Sequence, residues 1–359
     1  MTEPTDSYGL LDRMLHRLAF ATTWAQRGTA DIEERLFRRE LQRIDPGPPV
    51  LITALPRAGT TILLELLAGM STFASHTYRD MPFVLSPMLW RGLSQRFRKQ
   101  RAPRERAHGD GIQITLDSPE AFEEVVWRTF WPQHYETDRI RPWRRCDEAE
   151  FLEFLTANMR KVVALRAREK PTARRYVSKN NLNVARIPAL FDALGDAVML
   201  VPFREPLQHA WSLLQQHRRF GAMHEHDAFA RRYMAYVGHF DFGANLKPVD
   251  FDGWLAGRDL QQATSLGFWL DYWIATYRHV LSHATHDRLH LVCFESLGAA
   301  PDLAPLAACI GGVDASELQQ RRAILEPPRA REVDASGLAG DRVEQANGIY
   351  EALRARARI

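Results

Sequence analysis

Val50-Leu51-Ile52-Thr53-Ala54-Leu55-Pro56-Arg57-Ala58-Gly59-Thr60-Thr61 is the stretch on which the fold turns. Its first five residues read as a short buried strand, and the segment from Gly59 to Gly69 reads as a helix closing at a glycine. A strand, a tight loop and a helix in that order leave several backbone N–H groups at a helix N-terminus. The helix dipole adds positive character there, so an anion is favoured. Gly59 lets the backbone approach a phosphate, Thr60 and Thr61 add hydroxyl donors beside Ala58, and Arg57 supplies a charged fork. The loop is not a Walker A sequence, because it has no G-x-x-x-x-G-K and its cation precedes the glycine. Read by itself it is either an anion cradle or a strand-to-helix turn with incidental polar residues.

Upstream, residues 8–44 carry apolar positions at helical spacing (Leu10, Leu11, Met14, Leu18, then Ile32, Leu36, Leu41, Ile44) and predict one or two amphipathic helices. Asp45-Pro46-Gly47-Pro48-Pro49 stops them. Downstream, Ser118 reads as a helix cap with Pro119 at the first helical position, opening a helix that runs to Trp131. Further helices are predicted over 147–169, 183–194, from Pro206 to Arg218, over 259–285, and near 302–311, 315–325 and 338–357. Strands are predicted at Arg175 to Ser178, Ala197 to Phe203 and 288–294. Alternating strands and helices argue for an α/β fold, a parallel sheet flanked by helices. The expected organisation is an N-terminal helical segment, 1–47, packed on one α/β domain, 48–359, with helical insertions near 85–170 and 215–285.

The 359 residues are 45% hydrophobic and 25% charged, which excludes a disordered or collagenous chain. A net charge of +3 excludes a polycation or an acidic solvating chain. Only five of the 47 basic residues are Lys, a bias that reads first as GC-rich codon usage. Three cysteines, Cys146, Cys293 and Cys309, show no CxxC and no metal-ligand spacing, as expected in a reducing compartment. The N-terminus is not a secretory signal, and the longest apolar stretch, Leu51 to Gly69, is broken by Pro56, Arg57 and Glu65, so no membrane span is expected. The expected location is the cytoplasm.

A second motif lies at Val201-Pro202-Phe203-Arg204-Glu205-Pro206, followed by His209, Trp211 and Ser212. Arg204 falls at the carboxyl end of a predicted strand and Ser212 about two helical turns later. Ligands of open α/β sheets sit outside the carboxyl ends of strands, so Arg57 and Arg204 would share one crevice. Alone, Arg204 is equally a surface partner of Glu205.

Together the two motifs resemble the sulfotransferases that use 3′-phosphoadenosine 5′-phosphosulfate. Leu55 to Thr61 is similar to that family's 5′-phosphosulfate loop, P-[KR]-[SAT]-G-T-[TS], and Arg204 with Ser212 is similar to its 3′-phosphate site. The resemblance spans about residues 48–220 and implies a P-loop-type sheet, that donor, and transfer of a sulfuryl group to an acceptor hydroxyl without a metal. It implies that Arg57, Ala58, Gly59, Thr60, Thr61 and Lys179 hold the phosphosulfate and that Arg204 and Ser212 hold the 3′-phosphate. Tyr176-Val177-Ser178-Lys179-Asn180-Asn181 stands where the cytosolic members carry Lys-Thr-His. Lys179 matches the lysine, but Asn181 occupies the place of the catalytic histidine. The proton acceptor must then lie elsewhere. Asp80, in His76-Thr77-Tyr78-Arg79-Asp80, is the expected base, in a place similar to that of a Glu in Golgi relatives. Asp80 is otherwise a partner of Arg79 or a helix cap, and His76 is the alternative base.

Weaker signals are the aromatic runs Trp127, Phe130, Trp131, Tyr135, Trp143 and Phe268, Trp269, Tyr272, Trp273, Tyr277, which are core or an acceptor pocket. Arg96, Arg98, Lys99, Arg101, Arg104 and Arg106 form a charge run that reads as a solvated face, with no nucleic-acid partner expected. Arg329 and Arg331 are candidates to close over the nucleotide. The competing readings are a P-loop kinase or nucleotidase, against which the missing Walker lysine counts, and a nucleotide-binding protein without catalysis.

Overall fold

Val50–Ile52 forms β1, and all three residues are buried, as a strand covered on both faces must be. β1 is the middle strand of a five-stranded sheet in this computed structural model, which describes residues 23–94, 104–105, 113–146, 148–326 and 330–359. Residues 8–22 of the expected helical segment lie outside the described residues, as do Arg96, Arg98, Lys99, Arg101, Arg106 and Arg329.

The other sheet strands are β2 (Phe73–Ala74), β3 (Arg175–Lys179), β4 (Val198–Phe203) and β5 (Leu289–Cys293), in the order β2-β3-β1-β4-β5. Every pairing is parallel. From β1 the chain goes to the edge strand β2 and returns inward to β3, then crosses to the other side of β1 and builds outward through β4 and β5. The strand order therefore switches at β1, and the crevice beyond the carboxyl ends of β3, β1 and β4 is where such a sheet takes a ligand.

Alternation of side chains along β1 joins two cores. Val50 and Ile52 belong to the cluster of Leu63, Leu67, Leu306 and Ile310. Leu51 belongs to the larger cluster of Trp127, Phe151, Phe203 and Trp269. The flanking helices are α1 (Thr23–Leu41), α2 (Thr60–Ala68), α3 (Pro87–Ser94), α4 (Glu124–Phe130), α5 (Ala149–Ala167), α6 (Ile187–Ala193), α7 (Pro206–His226) and α8 (Ala228–Tyr236). They continue with α9 (Leu266–His283), α10 (Phe294–Ala299), α11 (Ala304–Ile310), α12 (Ala315–Gln320) and α13 (Gly340–Arg356). Between β2 and β3 the chain carries α3, α4, α5 and a small antiparallel hairpin of Arg104–Glu105 with Gln113–Ile114. α1 is fixed to α5 by Glu33, fully buried, whose carboxylate lies 3.5 Å from Lys161 Nζ and accepts the Leu89 N–H at 2.6 Å.

Three local expectations are corrected. Ser118 does not cap a helix: its hydroxyl accepts the Thr115 N–H, Pro119 bridges to Thr77, and α4 begins only at Glu124. The helix from Pro206, capped by Glu205, which accepts the N–H groups of Leu207 and Gln208, runs on to His226 because no proline interrupts it after its first residue. The segment 259–285 splits at Ser265, which caps α9 through the Phe268 N–H after a 3₁₀ turn over Leu260–Thr264.

Most of the aromatic runs are core. Arg186, fully buried, lies between the rings of Trp127 and Trp143, 4.2 and 4.1 Å from their centroids, and forms a bidentate pair with Glu124. Trp269, Trp273 and Tyr277 are equally inaccessible.

Candidate active site

Four segments meet at the carboxyl edge of the sheet. The Thr53 N–H still pairs with Leu200 and the Asn180 N–H with Ile52, so the loop after β1 leaves between the ends of β3 and β4. Two residues in this loop have left-handed backbone, Arg57 (φ 71°) and Gly59 (φ 98°). Such a conformation is uncommon for arginine and marks a turn held by its surroundings. Gly59 is required twice over, because a Cβ there would stand 2.2 Å from Phe294 Cδ2, at the start of α10. The turn delivers the chain to the N-terminus of α2, which has no side-chain cap. Its first N–H groups are thereby left for an anion.

Arg204, one residue past β4, donates from Nη1 to the carbonyl oxygen of Arg57 at 3.1 Å. Arg57 Nε in turn reaches Ser212 Oγ on α7 at 3.4 Å. The structure thus brings together Arg57, Arg204 and Ser212, which the sequence placed 155 residues apart at the extremes. Among the described residues Arg204 Nε is buried without a hydrogen-bond partner, and Glu295 is the acid it faces, at 4.0 Å. Burial lowers the pKa of this guanidinium, and the neighbouring Arg57 lowers it further against the pull of Glu295. It remains charged at any physiological pH. An orphaned donor beside a second arginine fits an added phosphate, which would satisfy what the protein leaves open.

Lys179 is the last residue of β3, opposite Ile52 in register, and is 7% exposed. Asn181 follows in a 3₁₀ turn over Asn181–Arg186. Its backbone carbonyl accepts the Thr53 hydroxyl at 3.1 Å and its side-chain oxygen accepts that of Thr60 at 3.4 Å. Ala58 is buried and Thr61 half-buried in the same loop and helix start.

The two expected bases are both engaged by neighbours. Asp80 is 3% exposed, and both of its oxygens take hydrogen bonds from Arg166 Nη2, at 2.6 and 2.5 Å. Oδ2 also accepts the Thr77 N–H at 2.9 Å and faces His76 Nδ1 at 3.2 Å. Burial alone would raise its pKa, but Arg166 and His76 outweigh it and hold the carboxyl at about 2. That is the arrangement of a buried anchor, and a carboxylate so held is a poor proton acceptor. His76 has both ring nitrogens on acceptor oxygens, Nδ1 on Asp80 and Nε2 on Asn158 at 3.1 Å, and is 2% exposed.

Four further residues surround this junction: His209 and Arg331, which the sequence pointed to, and Asp241 and His239, which it did not. His209, fully buried under the loop, lies with Nε2 2.8 Å from the Pro56 carbonyl; burial and then the charge of Arg204 push its pKa down to about 3. It is therefore a neutral donor that holds the loop. Asp241 lies across Asn181, whose Nδ2 donates to Oδ2 at 3.3 Å, and His239 Nδ1 faces the same oxygen at 3.5 Å. Arg331 is tied to α7 by two hydrogen bonds with Gln208, and its guanidinium stands 5.2 Å from the Trp211 ring, beside Ser212. Among the described residues no group of acids, histidines and cysteines has the geometry of a metal site, and no helix is long and apolar enough to cross a membrane.

Sulfotransferase STF9 from Mycobacterium avium superposes with a TM-score of 0.53 at 14% identity, over 97% of this chain and 86% of that one, a likeness of fold. Sulfotransferase STF1 from Mycobacterium tuberculosis H37Rv aligns at 0.49 and 13% identity, over 97% and 88%. No curated protein matches the sequence. A model of the sulfotransferase family matches residues 48–251, which contain the loop, the strand ends and α7. The chain belongs to the sulfotransferase family.

Proposed function

We propose that the protein moves a sulfuryl group from 3′-phosphoadenosine 5′-phosphosulfate to an acceptor hydroxyl, without a metal, in the cytoplasm. The observation that carries this reading is the junction of Arg57, Arg204 and Ser212, in which one buried arginine nitrogen lacks a partner. In it, Arg204 and Ser212 take the 3′-phosphate, while Arg57, Lys179, the hydroxyls of Thr60 and Thr61, and the N–H groups at Ala58 and Gly59 take the phosphosulfate. The donor supplies an activated sulfur and a phosphate leaving group. The chain supplies fixed positive charge where the leaving phosphate gains negative charge, already oriented in a half-buried crevice before reaction. Cys146, Cys293 and Cys309 form no disulfide among the described residues, which suits a reducing compartment.

Calorimetry tests the reading. Adenosine 3′,5′-bisphosphate should bind without magnesium, and Arg204→Ala should weaken it at least tenfold. Preferential binding of ATP with magnesium would overturn it in favour of a kinase or nucleotidase.

A further inference from the structure

A general base for this transfer must stand at the sulfuryl end of the donor, beside the N-terminus of α2, and must present an oxygen or nitrogen not already engaged. The acids near the loop sort themselves on that criterion. Glu295 stands at Arg204, the other end of the crevice, and accepts the Glu205 N–H at 3.0 Å. Asp80 has both oxygens on Arg166. Asp241 is different. It is separated from Thr60, the first residue of α2, by the side chain of Asn181 alone, and its side chain is 14% exposed. Two neighbours, Asn181 Nδ2 and His239 Nδ1, converge on Oδ2, while Oδ1 has no hydrogen-bond partner among the described residues.

The segment that carries the pair is built to stay in place. The Gly243 N–H donates to His217 Nδ1 at 3.1 Å and the Ala244 N–H to His224 Nδ1 at 3.2 Å, so two side chains of α7 grip the chain just after Asp241. Gly243 has φ 63°, and a Cβ there would stand 2.7 Å from His224 Nδ1 and 2.9 Å from the Phe220 backbone carbon. The Phe220 ring also stacks on His239, 6.1 Å between centroids. A carboxylate oriented on one oxygen by two neighbours, open on the other and carried on a clamped turn meets the geometric demand on a base.

We propose that Asp241 is the general base and that His239 is a positioning residue acting through it. The proposal rests on the sulfuryl-transfer reading above. The acceptor's O–H proton passes to Asp241 Oδ1 as its oxygen lone pair forms the new bond to sulfur. The bridging S–O bond breaks, its electron pair staying on the 5′-phosphate of adenosine 3′,5′-bisphosphate. Asn181 links the base to Thr60, so the two halves of the reaction are held in one hydrogen-bonded line. The negative charge of Asp241 beside the site also costs the anionic sulfuryl end of the donor some affinity.

The test uses the full-length protein with Asp241→Asn and His239→Gln. Binding of adenosine 3′,5′-bisphosphate to the wild type is measured first, and failure there overturns the sulfotransferase reading rather than the assignment of the base. Transfer from labelled donor to water, methanol and 4-methylphenol should then fall at least 100-fold in kcat for Asp241→Asn, with a donor KM no higher than that of the wild type. His239→Gln should fall about tenfold. At equilibrium, Asp241→Asn should bind the donor at least threefold more tightly relative to the bisphosphate than the wild type does. The assignment is overturned if Asp241→Asn turns over within threefold of the wild type, if the donor preference is unchanged, or if bisphosphate affinity is lost. A wild type that binds the bisphosphate but transfers to none of these probes above the blank overturns it as well.

Discussion

The guanidinium of Arg204 donates a hydrogen bond, 3.1 Å long, to the backbone carbonyl of Arg57, a residue in left-handed conformation. The end of β4 thus braces the turn that follows β1, and Nε of the same arginine has no hydrogen-bond partner among the described residues. A lysine presents its three donors from one point and not from a planar fork, so it cannot reproduce the two separate directions in which Nη1 and Nε face. Arg204→Lys should therefore weaken adenosine 3′,5′-bisphosphate by about tenfold although the charge is kept, the loss of about 1.5 kcal/mol expected for one charged hydrogen bond. Calorimetry checks this, and wild-type affinity would show that charge alone suffices.

Gly59 meets two constraints that can be separated. Gly59→Ala suffers both the left-handed backbone and the collision with Phe294. Its urea midpoint should fall by the equivalent of about 2–4 kcal/mol, from backbone strain plus overpacking. In the Phe294→Ala background the same substitution should cost about 1–2 kcal/mol, the backbone part alone. Equal costs in both backgrounds would mean that the ring moves aside freely.

Asp80 is expected to act on stability. Asp80→Asn leaves Arg166, buried and with its carboxylate partner removed, at a cost of about 3–5 kcal/mol in denaturant unfolding. The pH dependence follows from the folded pKa of about 2 lying below the ordinary 3.8. The contribution is present above the ordinary value and is lost as pH falls through about 2. Acid unfolding of the wild type should therefore retain an Asp80-dependent portion below pH 4 that the variant lacks, read from paired acid titrations by circular dichroism.

The grip on the 238–245 segment is sensitive to acid. Both His217 and His224 accept backbone N–H groups at Nδ1, which a protonated ring cannot do. Burial, then the charge of Arg218, takes the His217 pKa down to about 4, and burial lowers that of His224. A depressed histidine contributes stability above its ordinary value of 6.5 and loses it as pH falls through the folded one. Hydrogen-exchange protection at Gly243 and Ala244, corrected for intrinsic rate, should hold from pH 7 to 6 and drop as pH approaches 4. Protection that persists at pH 3.5 would place the grip elsewhere.

What the sequence disclosed was what lies close along the chain. The apolar run of β1, the glycine at the start of α2, and an arginine at the end of β4 are read from neighbours a few residues away, and the parallel order of strands follows from their alternation with helices. The engagement of Asp80 was not legible because its partner, Arg166, is 86 residues distant, in the last turn of α5 among other charged residues that give no sign of which one turns inward. Asp241 was silent for the same reason: its link to the site is Asn181, 60 residues earlier, in a loop whose register only the packed Gly243 sets. Ser118 and Pro119 form a good cap signal in isolation, and pairing with Thr77 overrode it.

The turn that begins at Asn181 ends at Arg186, the cation closed between Trp127 and Trp143. It works as a short lever whose far end is bolted into the core and whose near end carries the contact to Thr60 and Asp241. The tolerance of these contacts to repacking is therefore set at Trp143, in the core, and a change of ring size there would be felt as a change of aim at Asn181.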